Sequence, residues 1–185
     1  HSSWAEDAVI TISATVTDNA GNSTRGGLST AVLTIDQSVP DDLGISSVIA
    51  RDMGGTDIVV PGYLNSTNQF LLGRTVLSGT DNTMLIGSVQ LQSRIESEAP
   101  FNNIGSVGTV NSSHILDEFL QIQVDTTFIW ALPSAAHGEK LYYKSILTDI
   151  AGNATYQGES SVTTIIDTVP LDTATLTYSA PIANQ

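Results

Sequence analysis

"TDNAGNST" at residues 17–24 returns as "TDIAGNAT" at residues 148–155. At a fixed offset of 131 residues (Thr17 to Thr148), Thr17, Asp18, Ala20, Gly21, Asn22, Thr24, Gly27, Ser29, Ile35 and Asp36 meet identical partners. Each copy reads as strand, polar turn, strand and an exit linker closing in proline: "DQSVP" at 36–40 and "DTVP" at 167–170. A chain that writes one closing hairpin twice is built from repeated modules.

Working outward, "VITISATVT" alternates Ile10, Ile12, Ala14 and Val16 with Thr11, Ser13, Thr15 and Thr17. A period of two places one residue set on each face of a strand. "TAVLTIDQ", "TMLIGSVQLQS", "FLQIQVDTTFIWAL", "KLYYKSILTD" and "SSVTTIIDT" read the same way, and no sustained helical period interrupts them. The fold class expected is all-β, as tandem β-sandwich modules, because many short strands need two packed sheets to hide their inner faces.

The repeat sets the boundaries. Residues 1–39 are expected to be the C-terminal part of one module, 40–170 a complete one, and 171–185 the first strand of a third. Pro40 and Pro170 mark the junctions, since a residue without an N–H ends a strand's ladder. The spacing exceeds the roughly 100 residues of a plain immunoglobulin-type sandwich. The surplus is assigned to "SRIESEAPFNNIGSVGTVNSSH" (93–114), a long loop or extra hairpin.

Six Lys+Arg stand against 19 Asp+Glu, a formal net charge of −13. That balance argues against nucleic acid and anionic membrane surfaces, which both require a basic footprint. Cysteine is absent, so no disulfide helps the core. No apolar run approaches the roughly 18 to 20 residues that span a bilayer. The chain opens with His1 and shows no leader pattern, which suggests a processed product or an excerpt.

The signature "VTDNAGNST…AVLTIDQSVP", echoed by "LTDIAGNAT…SVTTIIDTVP", resembles the tandem bacterial immunoglobulin-like repeats of large surface adhesins, surface-layer and filament proteins. Those repeats close with a "VTDxAGN" turn and a "V-D-T-x-A-P" linker; here Val39 and Val169 stand where alanine is common. The resemblance covers both hairpins and does not extend over 41–139. It implies immunoglobulin-like modules in an extracellular, cell-surface chain, stiffened by calcium between neighbours.

The repeated turn has two interpretations. In the local one, Asp18 and Asn22 bond back to nearby backbone, and Gly21 supplies a positive φ. In the other, the closing turn of an immunoglobulin-type module abuts the linker entering it, so Asp149 and Asn153 should lie near Asp36, Asp41 and Asp42. Converging carboxylates invite a cation, and calcium accepts six to eight oxygen ligands. A sodium ion or a water-filled polar joint is the alternative. By the same logic Asp18 serves an upstream junction, and Asp167 and Asp172 a downstream one.

Other constellations are weaker. His1, His114 and His137 are scattered, which disfavours zinc. "HILDE" (114–118) and "HGEK" (137–140) carry acid–base residue types without a nucleophile, and Glu96, Glu98, Asp117 and Glu118 form carboxylate pairs by chance. No enzyme is expected. Trp4, Trp130, Tyr142 and Tyr143 could form a sugar platform, but "FIWAL" puts Phe128 and Trp130 on one side of a strand, where the core is their usual place. Tyr63 and Phe70 flank a turn-rich stretch. Four N-x-S/T sequons occur at Asn22, Asn65, Asn111 and Asn153, with Asn65 and Asn111 the better glycosylation candidates.

The function expected is structural: a stiff spacer or polymerising subunit of an extracellular adhesin, surface layer or filament. Its partners would be neighbouring modules, including a head-to-tail homopolymer formed by strand addition. The alternative is a glycan- or protein-binding module that uses the 93–114 loop and the aromatics.

Overall fold

The computed structural model describes residues 4–51, 62–96, 100–132 and 135–169. The segment 171–185, Pro170, Asp172, His1 and Glu98 lie outside them. Among the described residues the protein is all-β, with strands in sheets, two short α-helical segments and one 3-10 turn.

The N-terminal part holds β1 (Val9–Ile10), β2 (Thr15–Thr17), β3 (Ser23–Arg25) and β4 (Leu33–Thr34), paired as β1–β4 and β2–β3. The rest contains β5 (Ile45–Arg51), β6 (Tyr63–Leu64), β7 (Phe70–Val76), β8 (Ser88–Ile95), β9 (Asn102–Thr109), β10 (Phe119–Asp125), β11 (Lys140–Thr148), β12 (Ala154–Tyr156) and β13 (Thr163–Ile166). A short helix α1 (Ser112–Asp117) precedes β10 and a single turn α2 (Thr127–Trp130) follows it.

β10, β7 and β5 form one sheet in that order. The other runs β6-β13-β11-β8-β9, with β12 also on β11. The β13–β6 pair is parallel; the remaining ladders are antiparallel. In β8 and β11 every second residue is buried, which is the period of two made physical. Leu71, Leu120, Ile122 and Val124 of the small sheet share one core with Val89, Leu91, Leu141, Tyr143 and Leu147 of the large one. The sheets meet closely at Gly73, where an added Cβ would stand 2.5 Å from Leu91 Cδ1.

The stretch 93–114 holds the end of β8, then β9, which pairs antiparallel with β8, and the start of α1. Asn111 caps α1, its Oδ1 accepting from Ser113 N (3.0 Å) and His114 N (3.1 Å). The strand expected across "FLQIQVDTTFIWAL" stops at Asp125, whose carboxylate turns the chain by accepting Thr127 N (2.8 Å). Phe128 and Trp130 therefore sit on a helical turn and not along a strand; both are half-buried against the core.

The repeat persists in the backbone. In the first copy Val9 pairs Thr34 and Val16 pairs Thr24; in the second, at the same offset, Lys140 pairs Ile165 and Leu147 pairs Thr155. Even the irregular bonds recur: Gly26 N to Ala14 O (2.8 Å) and Gln157 N to Ser145 O (2.9 Å), Ser29 N to Ile12 O (2.7 Å) and Ser160 N to Tyr143 O (2.9 Å). Burial does not recur. Tyr143 and Leu147 are each 1% exposed, whereas their counterparts Ile12 and Val16 are 67% and 71% exposed. The buried face expected for "VITISATVT" is thus open to solvent, because no second sheet lies against it among the described residues.

Candidate functional site: an acidic junction beside the repeated turn

The two turns are the same device. Asp18 Oδ1 accepts Ala20 N (2.9 Å) and Asn22 N (2.8 Å), and its Oδ2 accepts Asn22 Nδ2 (2.9 Å). Asp149 Oδ1 accepts Asn153 N (2.8 Å) and its Oδ2 accepts Asn153 Nδ2 (2.9 Å). Gly21 and Gly152 take φ of 90° and 94°, a region that other L-residues rarely enter. These bonds hold the Asp18 carboxyl below its ordinary value, the Asn22 side chain contributing most. The chain spells Asp-x-Ala-Gly-Asn twice because the carboxylate, the glycine and the amide each supply one part of the turn.

The second copy differs in having the linker against it. Asn153 Nδ2 also donates to Asp36 O (3.2 Å), and Thr155 Oγ1 donates to Pro40 O. Asp36, Asp149 and Asn153 are therefore brought together. Asp42 goes elsewhere: its Oδ2 accepts Gly158 N (3.4 Å) in a separate cleft with Leu43 and Ser160. Asp41 lines a cleft of about 520 Å³ together with Glu6, Asp7, Asp36 and Asp81. Glu6, Asp7 and Asp81 went unread in the sequence, because nothing local marks them. Glu6 arrives through a bond between its Oε2 and Gln37 N (2.7 Å), and Asp81 through the 78–87 loop, which Ile150 N anchors at Thr83 O (3.1 Å).

Loss of solvent raises the Asp36 carboxyl above its ordinary value, Ser38 N opposes the rise, and the charges of Asp149 and Glu6 add to it. Asp36 Oδ2 is buried without a hydrogen-bond partner. An orphaned carboxylate oxygen beside like charges is what a hard cation relieves, so the donor chemistry fits calcium. Among the described residues, however, no three acidic or histidine side chains stand at metal-ligand spacing.

The downstream exit carries different chemistry in the same place. His137, the counterpart of Glu6, stands 3.1 Å from Asp167 Oδ1, and its Nδ1 lies 3.3 Å from Thr168 N. His114 is a helix-cap partner, its Nδ1 accepting Asn111 N (3.2 Å). Glu96 accepts from Tyr142 Oη (3.0 Å) just past β8, while Asp117 ends α1 and Glu118 caps it.

The aromatics are dispersed. Tyr143 is buried, which pushes its phenol well above the ordinary value; Tyr142 lies under Arg94 (4.5 Å), and Trp4 is 63% exposed on the N-terminal part. Tyr63 is partly exposed at the β6 edge and Phe70 begins β7 half-buried. Among the sequons, Asn22 and Asn153 spend their amide nitrogens inside the turns. Asn65 and Asn111 use the carbonyl oxygen, accepting Thr67 Oγ1 (2.6 Å) and Ser113 Oγ (2.7 Å). Compared with known protein families, curated proteins and solved structures, the chain matches none.

Proposed function

We propose that this chain is a length of a tandem array of immunoglobulin-like β-sandwich modules and serves as a stiff spacer in an extracellular adhesin, surface layer or filament. The observation that carries this is the duplicated ladder, with the same registers over 7–36 and 138–167 and a linker from the first copy bonded to the turn of the second. The strand order supports the module type: a β10-β7-β5 sheet faces one in which the early strand β6 runs parallel to the last strand. In this function the junction is the working part. Asn153 and Thr155 hold the linker against the closing turn, and the acidic cleft lined by Glu6, Asp36, Asp41 and Asp81, whose carboxyls are not spaced as a ready-made ligand set, would draw together around a calcium ion that fixes the angle between modules.

The test is small-angle scattering and thermal melting of the full chain, with calcium and with chelator. An elongated profile that loosens on chelation, with a lower Tm, is the expected result. An elongated profile indifferent to chelator removes the metal, and a single compact body removes the array. Concentration-dependent growth in sedimentation would mark head-to-tail assembly through the open β1–β4 and β2–β3 ladders.

A second function, a binding module, is favoured by one feature: a polar cleft bordered by Trp130.

A further inference from the structure

At the end of the small sheet opposite the acidic junction, residues 66–69 and 125–130 enclose an open cleft of about 290 Å³. Its frame is tied internally. Thr126 Oγ1 donates to Asn68 O (2.7 Å), Thr126 N to Gln69 O (3.0 Å), and Asn65 N to Asn68 Oδ1 (2.8 Å). Trp130 borders the cleft and is held half-buried against the core by α2, whose Ile129 is fully buried. Hydrogen bonds from the backbone and side chain of Thr127 keep the Asp125 carboxyl below its ordinary value, so it is ionised at neutral pH.

We propose that this cleft binds a neutral saccharide, one pyranose ring lying against Trp130 with its hydroxyls meeting Asp125, Thr127, Gln69 and Ser66. A pyranose has an apolar C–H face and a polar rim. The electron-rich indole face attracts the polarised C–H groups, and a fixed ring loses little entropy on binding. Sugar hydroxyls donate to an ionised carboxylate in charge-assisted bonds, stronger than neutral ones. Hydroxyl and amide side chains on the rim can donate and accept, which suits a ligand that does both. The volume is at the lower end for small-molecule sites and suits one ring. Asp125 supplies the charge among the lining residues and the chain carries −13, so uronic and sialic acids are repelled. This inference rests on the binding-module function, to which it gives a ligand class; the spacer is independent of it.

Trp4 and Trp130 are the two indoles of the chain, so Trp4→Phe in the full chain leaves Trp130 as the sole reporter. Its emission is titrated with glucose, galactose, mannose and N-acetylglucosamine and their disaccharides, with glucuronic acid alongside. A saturable shift with a neutral sugar, at least tenfold weaker in Asp125→Asn and missing with glucuronic acid, is expected. Asp125→Asn keeps an oxygen for Thr127 N at an exposed position, so it should fold with a Tm only slightly below the parent's, and a lost response at a temperature well under that Tm reports the site. No saturable response, equal affinity in Asp125→Asn, or preference for glucuronic acid overturns the proposal. Glycan-array binding that survives both Asp125→Asn and Trp130→Ala would place a binding site elsewhere and defeat this cleft alone. Arrays silent for the parent chain would defeat glycan binding altogether.

Discussion

Asn153 donates its side-chain amide twice, to the Asp149 carboxylate of its own turn (2.9 Å) and to the Asp36 carbonyl 117 residues earlier (3.2 Å). Its counterpart Asn22 makes only the first kind of bond among the described residues. One residue type in one turn therefore closes a hairpin in both copies and grips a linker in the second.

Asn153→Ala should destabilise the chain by about 1–3 kcal/mol, since it leaves the half-buried linker carbonyl and the Asp149 carboxylate short of a donor. Asn22→Ala, at an exposed turn, should lower stability by less than about 1 kcal/mol. Urea melts of the two variants make the comparison, and equal losses would deny the linker bond any weight.

The raised Asp36 carboxyl gives the junction a signed pH dependence. From 3.8 up to its raised folded value, the folded chain holds a proton that the unfolded chain has released. Stability without divalent cation therefore falls as pH rises through that window and is regained on acidification. Asp18 and Asp125, with lowered values, contribute oppositely, their stabilisation being lost as pH falls below 3.8. In chelator at pH 7, Asp36→Asn should melt above the parent, and calcium should reverse that order. A variant equal to the parent at every pH would show that the crowding of Asp36 carries no energy.

Gly87 joins the 78–87 loop to the Asp149 turn by close approach. A Cβ there would stand 2.5 Å from Thr148 O and 3.2 Å from Asp149 Cα, both backbone atoms that cannot rotate away. Gly87→Ala should cost more than about 2 kcal/mol and shift the amide resonances of 149–153 in heteronuclear spectra. Gly73→Ala meets the tip of Leu91 instead and should lower stability by about 1–3 kcal/mol without moving the junction.

Equal ladders with unequal burial predict unequal stability. Leu147→Ala should cost about 2–5 kcal/mol, whereas Val16→Ala, 71% exposed, should stay within about 0.5 kcal/mol. Amide exchange should be slow in 140–148 and fast in 9–17. Strong protection of 9–17 at high concentration alone would signify that another copy covers that face.

Much of this is legible in the sequence. Alternation of apolar and polar residues depends only on the two-residue period of an extended backbone, so β8 and β11 could be read directly from "SVQLQSRI" and "KLYYKSILT". The turn was equally open to reading, since Asp-x-Ala-Gly-Asn closes on itself within five residues. The end of β10 was missed because Asp125 stops it through a local carboxylate bond that leaves the apolar pattern of "TFIWAL" unbroken.

Sequence by itself determined what is local here: the strands, the twice-written turn and the offset that relates its copies. The repeat already places Asp36 beside Asp149; tertiary structure alone decided which other carboxylates join or leave them. Asp36 and Asp149 are joined through a linker, Asp42 is turned toward Gly158, and Glu6 and Asp81 arrive from segments with no pattern of their own. Charges act through space, and a chain of alternating residues does not state which of its ends will be neighbours.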